Sequence, residues 1–363
     1  MGVKIQEIIQ RSKIDLEQLN RKIIAIDAPN IIFSFFTFSY KDRQMYSPNL
    51  IVDRTQRAIS HLYGILYRVN FYYSNQILPI FCFDGRDSEL KRIISKDYLN
   101  DFRVVKKWYQ AALKSGNTIL ARKISLGKEF LWSNIIEESK QLINDLGIPI
   151  LDSPASAESQ CAYLVKNNVA DYANSQDFDS LIFGCPYIIQ NLSKSLRRKV
   201  HGKWSYKKIE TVLINLETNL KRLNIDLFQL VDLAILIGTD YNDGVNKIGP
   251  KTALQLIKKY NNLENVIFNK SYQYQFDHLI PEVLQEVRKI FLFPEVLEKF
   301  KDIYWDPPNS SQVIELLCKN HNLNKERVEH NLKKLIQNYH KCISSFKSKN
   351  PQKLFQKTID MSF

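Results

Sequence analysis

Short apolar runs alternate along this chain with longer stretches in which apolar residues recur every three or four positions. That order predicts strands alternating with helices, and hence an α/β domain on a mainly parallel, twisted sheet flanked by helices. Lys22–Ala28 (KIIAIDA) and Ile77–Phe83 (ILPIFCF) are the strongest strand candidates, and each leads into an aspartate, Asp27 or Asp84. Ile148–Leu151 and Tyr187–Gln190 are weaker candidates of the same kind. Ligands of open α/β sheets bind beyond the carboxyl ends of strands, so both aspartates are expected on that edge.

Between Ser88 and Asn144 there is no proline, and charged, aromatic and aliphatic residues mix with helical spacing. Two or more helices are expected there, inserted between one strand and the next. Tyr206–Gly238 also reads as helical, followed by a Gly/Asn/Asp-rich loop at Thr239–Pro250 and a helix at Lys251–Tyr260. Residues 309–340 read as a helical pair with Ser310 or Ser311 as N-cap. The last twenty or so residues, rich in Lys, Ser and Asn, read as a flexible tail.

Composition narrows the class of partner. Of 363 residues, 51 are Lys or Arg and 38 are Asp or Glu, a net charge of +13. Such a balance favours a polyanion, because basic side chains displace counterions from phosphates, although charge alone places no patch. The five cysteines (Cys82, Cys161, Cys185, Cys318, Cys342) form no C-x-x-C pair, which fits a reducing compartment and no structural zinc. With no apolar run of membrane-spanning length and no leader-like start, the chain is expected to be intracellular, with no membrane partner and no demand for an oligomer.

Candidate chemistry lies in the carboxylates. AIDA, FCFDG, SPASAES, SQDFDSLIFG and IGTDYNDG each place acidic residues after or beside an apolar stretch. Carboxylate oxygens are hard ligands suited to Mg²⁺ or Mn²⁺, and packing several together without a cation raises their pKa values. Two such ions can activate water and stabilise both oxygens of an in-line phosphoryl displacement. Taken singly, each aspartate reads as a helix cap or turn residue. Taken jointly, Asp27, Asp84, Glu158, Asp177, Asp179 and Asp240 read better as a metal-dependent site acting on nucleic acid.

The ordered blocks MGVKIQEII, KIIAIDAPN, SHLYGILYR, FCFDG, SQDFDSLIFG and IGTDYNDGVNKIGPKTALQLI resemble the flap endonuclease (XPG-type) family, especially its archaeal members, from Met1 to about residue 340. The resemblance implies a PIN/XPG-like nuclease core with a helical arch and a helix-two-turn-helix. The implied division is a nuclease region over 1–98, an arch and cap over 99–135, and a second nuclease region over 136–260 whose DNA-gripping part spans about 226–260. A helical region over 261–340 and a tail over 341–363 would follow.

The implied activity is structure-specific 5′-flap endonuclease with 5′→3′ exonuclease, in Okazaki-fragment maturation and base excision repair. Two Mg²⁺ ions, replaceable by Mn²⁺, would be held by Asp27, Asp84 and Glu158 and by Asp177, Asp179 and Asp240. Lys91 matches a family lysine that assists cleavage, and Phe33 an aromatic that stacks near the cut. Arg68, Gly238, Asp240, Gly249 and Lys251 match DNA-gripping positions, with Lys258 and Lys259 adding phosphate contacts. Gln356, Ile359 and Phe363 resemble a sliding-clamp-binding box in which Ser362 replaces one aromatic, implying weakened clamp binding. Arg197, Arg198 and Lys199 read as a solvated hairpin.

Three positions depart from the family pattern. Ser156 stands where a glutamate is usual; Ser153 and Pro154 read as N-cap and first-turn residues, which puts Ser156 near the third helical position and a neutral hydroxyl in the metal shell. Tyr98 stands where a second basic residue of the arch is usual, with Lys96 or Arg92 as substitutes. Lys247 replaces a glycine, at a cost if φ is positive there. These departures keep a second reading open, a catalytically weakened paralogue that binds branched DNA as a scaffold. A nuclease acting mainly on RNA ends is a third, which the loop at 238–251 disfavours.

Overall fold

The computed structural model describes residues 2–37, 51–85, 98–125, 128–192, 198–200, 203–205, 210–299 and 303–347. Its main sheet contains β1 (Ser12–Lys13), β2 (Lys22–Asp27), β3 (Ile77–Phe83), β4 (Ile150–Asp152), β5 (Tyr172–Asn174), β6 (Tyr187–Gln190) and β9 (Val212–Asn215). Their order is β1-β9-β6-β5-β2-β3-β4. Pairings from β6 through β4 are parallel, and β9 runs antiparallel to both β6 and β1. The expected mainly parallel α/β sheet is therefore present, with an antiparallel margin.

β2 is central, and its residues Ile23, Ile24, Ala25 and Ile26 are all buried. Burial on both faces explains why this strand reads as a continuous apolar run rather than an alternating one. From β2 the chain crosses to β3 and β4 on one side and later to β5 and β6 on the other. In open α/β sheets such a reversal marks the carboxyl end of the strand, here β2, as the ligand-binding edge.

Helices cover the sheet. α1 (Ala28–Thr37) follows β2 and α2 (Ser60–Ser74) precedes β3. The insertion between β3 and β4 contains α3 (Tyr98–Lys114), α4 (Thr118–Ser125) and α5 (Lys128–Asp145), in accord with the helical reading where it falls on described residues; 88–97 and 126–127 lie outside them. α6 (Ala157–Lys166) follows β4, and the short α7 (Asp179–Ile182) follows β5. The strands β7 (Arg198–Val200) and β8 (Lys203–Ser205) form a separate antiparallel hairpin, as expected around Arg198 and Lys199. Arg197 lies outside the described residues.

Past the sheet come α8 (Leu216–Leu223), α9 (Leu227–Ile237), α10 (Pro250–Tyr260), α11 (Leu263–Lys270) and α12 (Pro281–Leu292). The final elements are α13 (Ser310–Ile314), a π-turn at Glu315–Asn320 and α14 (Lys325–Lys347). α14 lies along α2, where Asn338 donates to Asn70 at 2.8 Å and Tyr339 meets Tyr73 edge to face. Among the described residues no helix is long and apolar enough to cross a membrane.

Four sequence expectations need correction. Tyr206–Gly238 is not helical throughout: Val212–Asn215 is a strand, because its apolar run pairs with β6 and β1 before α8 begins. The first C-terminal helix is capped by Asn309, whose side chain accepts from Gln312 N–H, so Ser310 and Ser311 lie inside the helix. The tail begins later than residue 341, since α14 continues to Lys347 with Cys342 and Phe346 buried. The fourth correction concerns Ser156 and belongs to the site.

Candidate active site

At the end of β2, Asp27 is buried and both its oxygens are engaged. Oδ1 accepts the Asn30 N–H at 3.2 Å, which makes Asp27 the cap of α1, and Oδ2 accepts the Ser175 hydroxyl at 2.6 Å. Asp84, just beyond β3, accepts the Ala157 N–H at 2.8 Å through Oδ1 and so sits at the positive N-terminus of α6. The cap reading is correct for both, and it is compatible with the site reading, because capping a helix beyond a strand end leaves the carboxylate at the carboxyl edge of the sheet. Gly85 makes this approach possible: a Cβ there would stand 1.8 Å from the Ser153 carbonyl oxygen.

Ser156, not Ser153, is the N-cap of α6. Its φ of −103° and ψ of 149° are extended, and its hydroxyl accepts the Ser159 N–H at 3.2 Å. Ser153 instead donates its hydroxyl to the Ser156 carbonyl at 2.8 Å, bracing the turn. Ser156 is thus buried and committed to a backbone donor. Glu158, in the first turn of α6, faces the charges of Asp27, Asp84 and Asp179. Burial first, and then these three carboxylates, push its pKa well above the usual carboxylate range.

After β5 the chain turns to present Asp177 and Asp179. Asp177 accepts the Asn30 amide at 2.8 Å through Oδ2. Buried Asp179, which opens α7, accepts the Val3 N–H at 2.7 Å, and its electrostatic neighbours include Asp240 and Asp177. Gly2 packs directly on both aspartates. Burial raises Asp27 to about 7 and Asp179 to about 6; the Ser175 hydroxyl opposes the first shift and the Val3 N–H the second. All six carboxylates therefore converge, from five separate segments, on the carboxyl edge of the sheet.

Four further contributors, Gly2, Val3, Asn30 and Ser175, lie in family-like blocks, but nothing in their residue types marks them as partners of carboxylates.

Hard oxygen donors in mutual repulsion suit one or more divalent cations. Among the described residues no group of three His, Cys, Asp or Glu is already arranged to hold a metal ion. Val3, Asn30, Ser175 and Ala157 each hold one oxygen of a carboxylate, leaving the remaining lone pairs as the donors a cation would use.

Asp240 follows Gly238 in the turn between α9 and α10. Gly238 has φ 104°, and a Cβ there would stand 2.7 Å from the Gly244 nitrogen, so this turn requires its glycine. Thr239 and Asn242 close it through a 2.8 Å side-chain hydrogen bond. Lys247 indeed has positive φ, 67°. Gly249 caps α10 without a side-chain hydrogen bond, and a Cβ there would meet nothing within 4 Å. Lys251 is exposed, 3.7 Å from Glu7, and Lys258 and Lys259 are exposed as well.

Phe33 is not the core residue that its helix alone would suggest. It is 58% exposed and meets Trp132 edge to face at 6.1 Å. Arg68 donates to the Leu192 carbonyl and lies over the Phe35 ring at 5.6 Å, so here it braces the protein. Lys91, Arg92 and Lys96 lie outside the described residues, as do Gln356, Ile359, Ser362 and Phe363. Tyr98 opens α3.

Comparison with known proteins agrees with this arrangement. Residues 1–98 match the XPG N-terminal domain and residues 147–240 the XPG I-region. Flap endonuclease 1 of Methanosarcina acetivorans is 36% identical over 330 residues, spanning 91% of this chain and 94% of the relative. Flap endonuclease 1 of Sulfolobus acidocaldarius is 38% identical over 336 residues, spanning 92% and 93%. The solved structure of flap endonuclease-1 from Methanococcus jannaschii superposes with a TM-score of 0.70 at 26% identity, covering 94% of this chain and 99% of that one. The chain belongs to the XPG family of nucleases, in its flap endonuclease branch.

Proposed function

We propose that this chain is a metal-dependent, structure-specific nuclease that cuts branched DNA at 5′ flaps and trims 5′ ends, in Okazaki-fragment maturation and base excision repair. The observation that carries the reading is the convergence of Asp27, Asp84, Glu158, Asp177, Asp179 and Asp240 at the carboxyl edge of the sheet. Asp27, Asp84 and Glu158 would hold one Mg²⁺, and Asp177, Asp179 and Asp240 a second, with Mn²⁺ as a substitute. When bound, such ions lower the pKa of water and neutralise charge developing on a scissile phosphate.

The chain's own groups supply orientation. Exposed Phe33 offers a face on which a base beside the cut can stack. The uncapped N-terminus of α10, open at Gly249 and flanked by Lys251, suits a duplex phosphate through backbone N–H groups and helix dipole. Gly238 shapes the turn that carries Asp240 beside that grip, so duplex binding and the carboxylates share one loop. Arg68 would reach DNA only after leaving the Leu192 carbonyl. Lys91 would lend an ammonium to transition-state charge. Gln356, Ile359 and Phe363 would engage a sliding clamp weakly, and the protein would act inside the cell as a monomer.

A scaffold with weakened catalysis is the second reading, favoured by the commitment of Ser156 to capping α6. A labelled double-flap DNA incubated with Mg²⁺ and, in parallel, with Mn²⁺ separates the two. Cleavage one side or the other of the branch point, abolished by chelator, is the expected result. Tight binding with no cleavage in either ion would overturn the nuclease reading in favour of the scaffold.

A further inference from the structure

Asn30 and Ser175 close a ring of hydrogen bonds that joins the Asp27 carboxylate to the carboxylate of Asp177 on one arm and to its backbone N–H on the other. Starting at Asp27, Oδ2 accepts the Ser175 hydroxyl at 2.6 Å, and the same Ser175 oxygen accepts the Asp177 N–H at 3.2 Å. The other arm runs from Asp27 Oδ1, which accepts the Asn30 N–H at 3.2 Å, to the Asn30 Nδ2 that donates to Asp177 Oδ2 at 2.8 Å. Asn30 Oδ1 meanwhile accepts the Gln176 N–H at 3.0 Å. Both ends of the amide are therefore spoken for, and its orientation follows from chemistry: an ionised carboxylate can only accept, and a backbone N–H can only donate.

The residue type at position 30 is constrained by charge as well as by geometry. A third carboxylate here would add to the repulsion around Asp177. A lysine would place a fixed cation where a mobile one is needed. A neutral amide alone satisfies one donor and one acceptor without altering the charge of the cluster. Ser175, wholly buried, does the same on the other arm.

We infer that Asn30 and Ser175 are positioning residues that tie the Asp27 carboxylate to Asp177, Asn30 through the Asp177 carboxylate and Ser175 through the Asp177 backbone N–H, so that the two halves of the cation shell are set as one unit. The inference rests on the assignment of these carboxylates to divalent cations. Partners that orient a ligand in this way typically change metal affinity by roughly tenfold to a hundredfold when removed.

The test uses the full chain and Mn²⁺ as the probe, with free ion counted by electron paramagnetic resonance and flap cleavage followed alongside. Asp27→Asn is the control for the underlying assignment: unchanged Mn²⁺ binding in that variant would remove the metal reading itself. Given a loss there, Asn30→Leu and Ser175→Ala should each weaken Mn²⁺ binding by roughly tenfold or more. Each should also raise the Mn²⁺ concentration needed for half-maximal cleavage more than it lowers the rate at saturation. The double variant should fall short of the product of the two single effects, because the arms belong to one ring. Wild-type Mn²⁺ affinity in both single variants, with only the melting temperature changed, would overturn the inference and leave the ring a purely structural brace.

Discussion

His321 Nδ1 lies 2.7 Å from Asp53 Oδ2, with both side chains wholly buried. Around this pair, Glu138 on α5 stands 3.2 Å from His321 Nε2 and 3.1 Å from His61 Nε2, and Arg57 contacts both Asp53 and Glu138. The same Asp53–Arg57 loop receives Tyr109 of α3 and Arg122 of α4. The cluster therefore ties the helices inserted after β3 to α2 and to the C-terminal region.

Its charge state dictates a pH dependence. Burial opposes charge on His321, but the hydrogen bond to Asp53 and the nearby Glu138 carboxylate outweigh it, and its pKa is raised above 6.5. Burial lowers His61 instead, and the partner histidines hold Glu138 far below its usual range against its own desolvation. A raised histidine contributes stability that is complete below pH 6.5 and lost as pH rises through the folded pKa. A lowered histidine costs stability as pH falls below 6.5. Thermal unfolding across pH is expected to show a decline on the alkaline side that His321→Gln flattens. His321→Leu removes one partner from Asp53 and Glu138, which both keep Arg57, and should cost about 1–3 kcal/mol. A His321→Gln variant with the wild-type pH profile would show that His321 carries no proton-linked stability.

Replacing Ser156 by glutamate sets two effects against each other. The variant loses the hydroxyl that accepts the Ser159 N–H, a cap worth about 1 kcal/mol. It gains a carboxylate next to Asp84 and Glu158, which should raise cation affinity. Ser156→Glu is expected to melt lower than wild type in chelator, yet to reach half-maximal cleavage at a lower Mg²⁺ concentration. An unchanged metal dependence would place residue 156 outside the cation shell.

Cation removal should matter more at high pH than at low pH. Burial raises Asp27 to about 7 and Asp179 to about 6 from an ordinary 3.8, so the folded cation-free chain loses stability as pH climbs from 3.8 through those values. A bound cation cancels that loss, and a site at about a hundred times its Kd contributes roughly 2.7 kcal/mol. Melting with and without Mg²⁺ at pH 5 and pH 8 is expected to show the larger gap at pH 8. Equal gaps would mean that these carboxylates do not share the ion.

The contrast between what was legible and what was not has physical causes. β2 and β3 were readable because burial on both faces leaves uninterrupted apolar runs ending at Asp27 and Asp84. Val212–Asn215 was not, because a four-residue strand set by pairing with distant β6 resembles one turn of the helices around it. Ser156 was misplaced because Ser153-Pro154 carries an equally good start signal, and only backbone geometry shows which serine caps. The Asp53–His321 contact joins residues 268 positions apart and has no spacing to betray it. The site carboxylates stood out because carboxylates recur beside apolar runs in five separate blocks, whereas Asn30 and Ser175, in two of the same blocks, have residue types that fit a turn equally well.

Lys247 offers a test confined to the backbone. Its φ of 67° lies in the left-handed region, where a side chain costs roughly 1 kcal/mol relative to glycine. Part of that is offset because glycine has more freedom to lose on folding. Lys247→Gly is therefore expected to raise stability by about 0.5 kcal/mol or less. The same change removes an exposed cation from the loop between α9 and α10. If that loop grips a duplex phosphate, the slope of log affinity for flap DNA against log salt should shrink by roughly one unit per lost contact. Asn at position 247 removes the charge while tolerating the left-handed backbone, so it separates the two effects: it should reproduce the change in salt slope. A salt slope equal to wild type in both variants would mean that Lys247 is a conformational substitution with no part in holding DNA.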